Sequence, residues 1–142
     1  ACDSIEEVVR SADIGVGGTT SEDIIAREHW VKPGATYVSL CRREMDPAGW
    51  AAFDKVVIDD WDCNMAGKEF NAMLDAGQFS REQLHGEICD VVTERVAGRE
   101  SEDERILIHT IGMVSQDVAI CHYVYEKARE MNAGIVLPAT DS

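Results

Sequence analysis

The chain has 142 residues, 45% of them hydrophobic and 28% charged, enough for one domain with a core of its own. Lys and Arg number 13 against 27 Asp and Glu, and the formal net charge of -14 repels nucleic-acid phosphates and anionic membrane surfaces, so neither is an expected partner. No apolar run approaches the roughly 20 residues that span a bilayer and no signal-peptide pattern is visible, so the expectation is a soluble, cytoplasmic protein.

Ser4-Ile5-Glu6-Glu7 has the spacing of a capping box and predicts a short helix with Ile5, Val8 and Val9 on its apolar face. Asp13-Ile14-Gly15-Val16 reads as a buried strand that stops in Gly17-Gly18-Thr19-Thr20, small residues that let a ligand approach the backbone. Ser21 to His29 is a short helix or a loop. Lys32-Pro33-Gly34 then makes a turn that launches Ala35 to Leu40 as a second strand. Asp46-Pro47 fits an N-cap with proline at the first helical position, giving a helix through about Phe53, and Lys55 to Asp59 reads as a third buried strand.

Trp61 to Ala76 carries Met65, Phe70, Met73 and Leu74 at loosely helical intervals, with Gly77 as its stop. Ser80-Arg81-Glu82-Gln83 is a second capping box, predicting a helix with Leu84, Ile88, Val91, Val92 and Val96 on one face and Gly98 at its end. Arg99 to Glu104 is charged and reads as a solvated loop. Ile106 to His109 is the fourth strand. A final helix from Val114 to about Met131 aligns Val118, Cys121, Tyr125 and Ala128 on one face.

Short apolar strands alternating with helices argue for a mostly parallel sheet covered on both faces. The cysteines, Cys2, Cys41, Cys63, Cys89 and Cys121, are scattered, with no C-x-x-C and no zinc-ligand spacing, so reduced thiols and no metal site are expected. A glycine-rich phosphate turn of the G-x-G-x-x-G type is not present, since Gly15-Val16-Gly17-Gly18 lacks the third glycine at its offset.

Four stretches occur in a telling order: Ser11 to Ile14 through Gly18-Thr19-Thr20-Ser21; His29-Trp30-Val31-Lys32-Pro33-Gly34-Ala35; Gly98 to Glu104; and Thr110-Ile111-Gly112-Met113 with Gln116-Asp117-Val118-Ala119. Together they resemble the ornithine cyclodeaminase/μ-crystallin family over almost the whole chain. The resemblance implies an α/β fold, the later part of a Rossmann-type doubly wound parallel sheet with helices on both faces. Residues 1–134 would then be the C-terminal part of a dinucleotide-binding domain, its final helix leading back toward a substrate and dimerisation domain outside this chain, with 135–142 as a tail. The glycine-rich turn and the basic residues that clamp the substrate carboxylate would also lie outside it.

The implied function is that of the C-terminal portion of an NAD- or NADP-dependent amino-acid or imino-acid dehydrogenase, or of a cyclodeaminase-like protein. Its implied partners are a small amino- or imino-acid substrate and either a second copy or a complementing chain. Thr19, Thr20 and Ser39 resemble residues lining the nucleotide groove, and Thr110 and Gly112 resemble those beside the nicotinamide. Asp117 reads as a charge favouring the helix dipole. After the second strand the family's Gly-Gly-Asp acid/base motif is replaced by Val38-Ser39-Leu40-Cys41-Arg42-Arg43-Glu44-Met45-Asp46, which leaves Glu44 and Asp46 as the catalytic candidates. Cys41, flanked by Arg42 and Arg43, is a further candidate as a strand-end nucleophile. The alternative is a non-catalytic accessory subunit that retains the cofactor fold, as in tyramine oxidase B subunit-like relatives.

Overall fold

Ser4 accepts a hydrogen bond from the Glu7 amide (3.1 Å) and starts helix α1, Ile5–Ser11, as the capping pattern predicts. Val9 is its buried residue, whereas Ile5 and Val8 are about half exposed, so the apolar stripe is narrower than its spacing implies. The computed structural model describes residues 2–40 and 43–137; Cys41, the candidate nucleophile, lies outside the described residues. The chain divides into two units, residues 1–111 and 112–142.

The first unit is built on five strands: β1 (Ile14–Gly17), β2 (Thr36–Ser39), β3 (Lys55–Ile58), β4 (Gly86–Glu87) and β5 (Ile106–His109). They form one sheet in the order β1-β2-β5-β3-β4, and every pairing is parallel. Lys32-Pro33-Gly34 makes the expected turn into β2: the Ala35 amide donates to Lys32 O (3.2 Å) and Gly34 has φ 78°, the left-handed geometry that a type II turn reserves for glycine.

Register fixes which side chains share a face. Gly15, Tyr37, Leu107 and Val56 lie in one row and Gly17, Ser39, His109 and Ile58 in another on the same side. This side is the core: Tyr37, Val56, Ile58 and Leu107 pack with Trp50, Phe70, Met73 and Phe79. The other side carries Ile14, Val16, Val38, Ile108 and Val57, and here β1 departs from the expected buried strand, with Ile14 70% and Val16 63% exposed. Helix α4 (Ile88–Val92) borders an apolar groove of about 320 Å³ over β3 and β5 on that side, so both faces of the sheet carry a helix.

Several elements differ from expectation. The helix after Asp46-Pro47 is a 3-10 helix, Pro47–Ala52, still capped by the Asp46 carboxylate through the Ala48 amide (3.1 Å). Trp61 to Ala76 is two helices, α2 (Trp61–Met65) and α3 (Lys68–Asp75), broken at Ala66-Gly67 where Gly67 acts as the N-cap of the second. Of the helix predicted from the Ser80 capping box to Gly98, only Ile88–Val92 is α-helical, preceded by a 3-10 turn at Arg81–Gln83. The His85 amide instead donates to Val56 O (2.9 Å), drawing Gly86-Glu87 into the sheet as β4, and Ser80 makes no side-chain cap. Helix α4 starts only after that, on a capping box of Glu87 with Asp90.

The charged loop from Arg99 to Glu104 is not merely solvated. Lys55, on the less covered face of β3 and itself 6% exposed, reaches the carboxylates of Glu100 (2.6 Å) and Glu104 (3.3 Å) and the carbonyl of Gly98. Its hydrogen bond to Glu100 leads in holding its pKa above the ordinary lysine value.

The second unit contains α5 (Val114–Glu130), close to the predicted bounds. Val114, Val118, Tyr123, Val124 and Tyr125 are all more than half exposed, and Asp117 stands in its first turn. No described helix is long and apolar enough to cross a membrane. Among the described residues Cys2, Cys63, Cys89 and Cys121 are free and exposed.

Candidate functional site

In an open parallel sheet the carboxyl ends of the strands are where ligands are received, because loops splay apart there. At that edge the ends of β1 and β2 are joined by one side chain. Glu44, 1% exposed, accepts hydrogen bonds from the amides of Thr19 and Leu40, the latter at 3.2 Å. Gly17 makes room for it: a Cβ there would lie 2.6 Å from Glu44 Oε2 and 2.7 Å from the Tyr37 hydroxyl. Burial, with a smaller contribution from the Glu44 charge, pushes the Tyr37 phenol up to about 12.

Between these strand ends lies an open groove of about 400 Å³ bordered by Thr19, Thr20, Ser21, Leu40 and Arg43. A more enclosed cavity of about 260 Å³ adjoins it, walled by Ile24, Pro47, Trp50, Phe70 and Met73 and closed by Asn64 and His109. Arg43, Glu69 and Ile111 border both spaces.

The end of β3 supports this cavity from below. Asp59, 1% exposed, accepts from Asn64 Nδ2 (2.8 Å) and from the Ile111 amide (2.9 Å), tying α2 to the turn after β5. His109 is 3% exposed, its ring centroid 4.8 Å from that of Trp50 and its Nδ1 3.4 Å from Ser39 Oγ. Burial pulls its pKa down to about 4, partly opposed by the Asp59 charge, so the ring is neutral at physiological pH. Trp50 Nε1 and Asn64 Oδ1 are buried and make no hydrogen bond to a described residue.

Of the residues read from the sequence, Thr19 and Thr20 border the groove. Ser39 does not border it: the side chain is 1% exposed and its Oγ lies against His109, because its position in the sheet turns it to the core side. The Thr110 amide donates to Ser39 O (2.9 Å), while Gly112, with φ 87°, is the first residue of the second unit. Asp46 caps the 3-10 helix and pairs with Arg27 (3.1 Å). Asp59, Asn64, Trp50 and His109 had drawn no functional reading. The legible signal was a polar residue at the carboxyl end of an apolar strand, once after β3 and once in β5.

A parallel sheet with helices on both faces and a cleft at its carboxyl edge defines an α/β domain of the Rossmann type. The chain belongs to the ornithine cyclodeaminase/mu-crystallin family, whose family model matches residues 1–132. It is 30% identical over 138 residues to the N-((2S)-2-amino-2-carboxyethyl)-L-glutamate dehydrogenase of Staphylococcus aureus, covering 96% of this chain and 41% of that protein. An archaeal alanine dehydrogenase, solved as a dimer with bound NAD, superposes with a TM-score of 0.77 at 30% identity, over 96% of this chain and 43% of that one. The Δ1-pyrroline-2-carboxylate reductase of Thermococcus litoralis, solved with NADH and L-proline, shares the fold with a TM-score of 0.81 at 22% identity, over 96% of this chain and 44% of that one. The chain thus spans about two fifths of the length of these relatives.

Proposed function

We propose that this chain is the later part of a nicotinamide-dependent oxidoreductase that acts on a small amino acid or its imine, with NAD or NADP as cofactor. The observation that carries the reading is the pairing, at one edge of a parallel sheet, of a hydroxyl-lined groove with a small apolar cavity that opens beside it. The groove suits one side of a ribose and nicotinamide: Thr19, Thr20 and Ser21 offer hydroxyls, and Gly18 keeps the backbone accessible. The cavity lies near the lower end of ligand-pocket sizes, which suits a small metabolite and not a second nucleotide. When bound, the cofactor accepts or returns a hydride at the substrate α-carbon. The chain's part is to orient that carbon, and the apolar walls keep water from the imine.

In this reading Glu44 and Asp46 shape the site, because both carboxylates are committed to backbone amides. Thr110 is assigned to the nicotinamide side, and sequence other than these 142 residues supplies the pyrophosphate turn. No observation favours the accessory-subunit alternative.

The test is titration with NADH followed by its fluorescence, with a screen of amino-acid oxidation read by nicotinamide absorbance. It is run on this chain alone and on the chain joined to a segment carrying a glycine-rich turn. Binding and turnover are expected from the joined protein, and steady turnover by the 142-residue chain alone would overturn the shared-groove part of the reading. Failure of the joined protein to bind NADH would overturn the whole of it.

A further inference from the structure

The cavity beside the groove is lined by two residues that each keep a polar atom without a partner. Trp50 Nε1 and Asn64 Oδ1 are buried and make no hydrogen bond to a described residue, and both side chains stand in the cavity wall. An indole nitrogen donates and never accepts. The Asn64 amide is held one way round, because its Nδ2 donates to Asp59 Oδ1 (2.8 Å) and to Asp60 O (2.8 Å), and its Oδ1 is therefore the acceptor. Folded proteins satisfy nearly all their buried polar atoms. A donor and an acceptor left open in the wall of one cavity thus call for a ligand that supplies both complements.

We propose that the cavity binds a primary carboxamide on a short apolar stem: the carbonyl accepts from Trp50, the NH2 donates to Asn64, and the stem lies against Ile24, Pro47, Phe70 and Met73. The proposal rests on the functional reading above in one respect, that the ligand is the substrate, and deepens it by giving that substrate an amide-bearing side chain. A carboxylate would satisfy Trp50 but set its charge against Asn64 Oδ1 and the Asp59 carboxylate bonded to the same amide. A ketone serves Trp50 alone, and an ammonium serves Asn64 alone. A hydroxyl must meet both atoms with one oxygen. Trp50 stands on the 3-10 helix Pro47–Ala52 and Asn64 on α2, and a planar group with its acceptor and donors on different atoms is the better bridge between separate elements. His109, neutral at physiological pH, closes the cavity without adding a charge. Bulk water does not reach the two atoms, so the ligand enters by displacing part of the wall, in which Met73 is the unbranched, adaptable side chain.

The experiment is titration of the 142-residue chain with butyramide, 2-pentanone, butyrate, 1-butanol and nicotinamide, followed by the indole N–H resonance of Trp50 and the methyl resonance of Met73. Butyramide is expected to bind about tenfold more tightly than 2-pentanone, which has the same outline without the N–H donors, and than butyrate. The Trp50 indole proton should move downfield as it gains an acceptor. Trp50→Phe keeps a ring in place and removes the donor, so butyramide should weaken by about fivefold, while xenon, which makes no hydrogen bond, binds at least as well as in the wild type. The ligand series on the wild-type chain decides alone where the variant does not fold.

The proposal fails if the wild-type chain does not prefer butyramide to 2-pentanone, if the indole proton is unmoved at saturation, or if a folded Trp50→Phe binds butyramide as tightly as the wild type. Binding of 1-butanol as tight as that of butyramide would overturn the carboxamide assignment, by making one oxygen sufficient. Nicotinamide binding more tightly than butyramide would also overturn it, by giving the cavity to the cofactor. NADH binding by the joined protein with no amide preference in the cavity would sink this proposal and leave the oxidoreductase reading standing. Amide preference with no NADH binding would do the reverse.

Discussion

The imidazole of His109 packs on the indole of Trp50 with ring centroids 4.8 Å apart, at the point where the carboxyl end of β5 meets the 3-10 helix Pro47–Ala52. The contact places a titratable ring inside the aromatic core, and acid stability follows from it. The folded-state pKa of about 4 lies below the ordinary 6.5, so at pH 7 the neutral ring is tolerated in both states. As pH falls below 6.5 the unfolded chain takes up a proton that the folded one refuses, and stability is lost progressively until about pH 4, amounting to about 3 kcal/mol over that window. His109→Phe keeps the aromatic packing and removes the proton, so its unfolding free energy should be flatter between those pH values. Urea denaturation across the range checks the slope.

Lys55 joins the less covered face of the sheet to the charged loop through Glu100 and Glu104. Lys55→Met should cost about 1–3 kcal/mol, less than the roughly 3–5 for a fully buried pair, because Glu100 is 63% exposed and can return to water. Since the lysine pKa is raised, this stabilisation is complete below the ordinary lysine value and is lost as pH rises through the elevated one. Amide exchange of residues 99–104 should quicken in the variant, and unchanged protection there would contradict the role given to the ion pairs.

Gly17→Ala sets a methyl group against the Glu44 carboxylate and the Tyr37 hydroxyl at 2.6 and 2.7 Å, distances that force one of them to move. A loss of about 1–3 kcal/mol is expected from such overpacking. Because Glu44 holds the Thr19 amide, that amide should lose exchange protection in the variant by more than the global destabilisation accounts for. Gly18→Ala, whose Cβ would meet Leu40 Cδ1 at an ordinary 3.5 Å, is the control and should be nearly neutral.

The face carrying Ile14 and Val16 leaves two large aliphatic side chains on a strand that, among the described residues, has a neighbour on one side only. Both the apolar face and the unpaired edge favour association. The isolated chain should bind an environment-sensitive apolar dye and form concentration-dependent oligomers, and Ile14→Lys with Val16→Thr should suppress both. Light scattering of wild-type and variant chains gives the comparison. A wild-type chain that stays monomeric at high concentration and binds no dye would contradict it.

Four of the five strands were legible because β1, β2, β3 and β5 are short apolar runs bounded by small, turn-forming or charged residues, and those signals are local; the two-residue β4 carries no such signal. The capping pattern at Ser4 was equally local and correctly placed α1. The same pattern at Ser80 misled, because the chain beyond it pairs with β3 through the His85 amide, a contact that propensity does not contain. The strand order, in which β5 inserts between β2 and β3, is likewise a product of long-range pairing. In the site, Thr19 and Thr20 were readable from their position after a strand. Trp50 and Asn64 were not, since each sits on a short helix and reaches the cavity only after the elements have packed.

Arg43 and Glu44 are neighbours in the chain, yet one faces the ligand space and the other is buried among the amides at the ends of β1 and β2. Glu44 holds the amides of Thr19 and Leu40 at once, so the loop that bears the hydroxyls and the end of β2 are fixed by one carboxylate, and a change at position 44 would release both together.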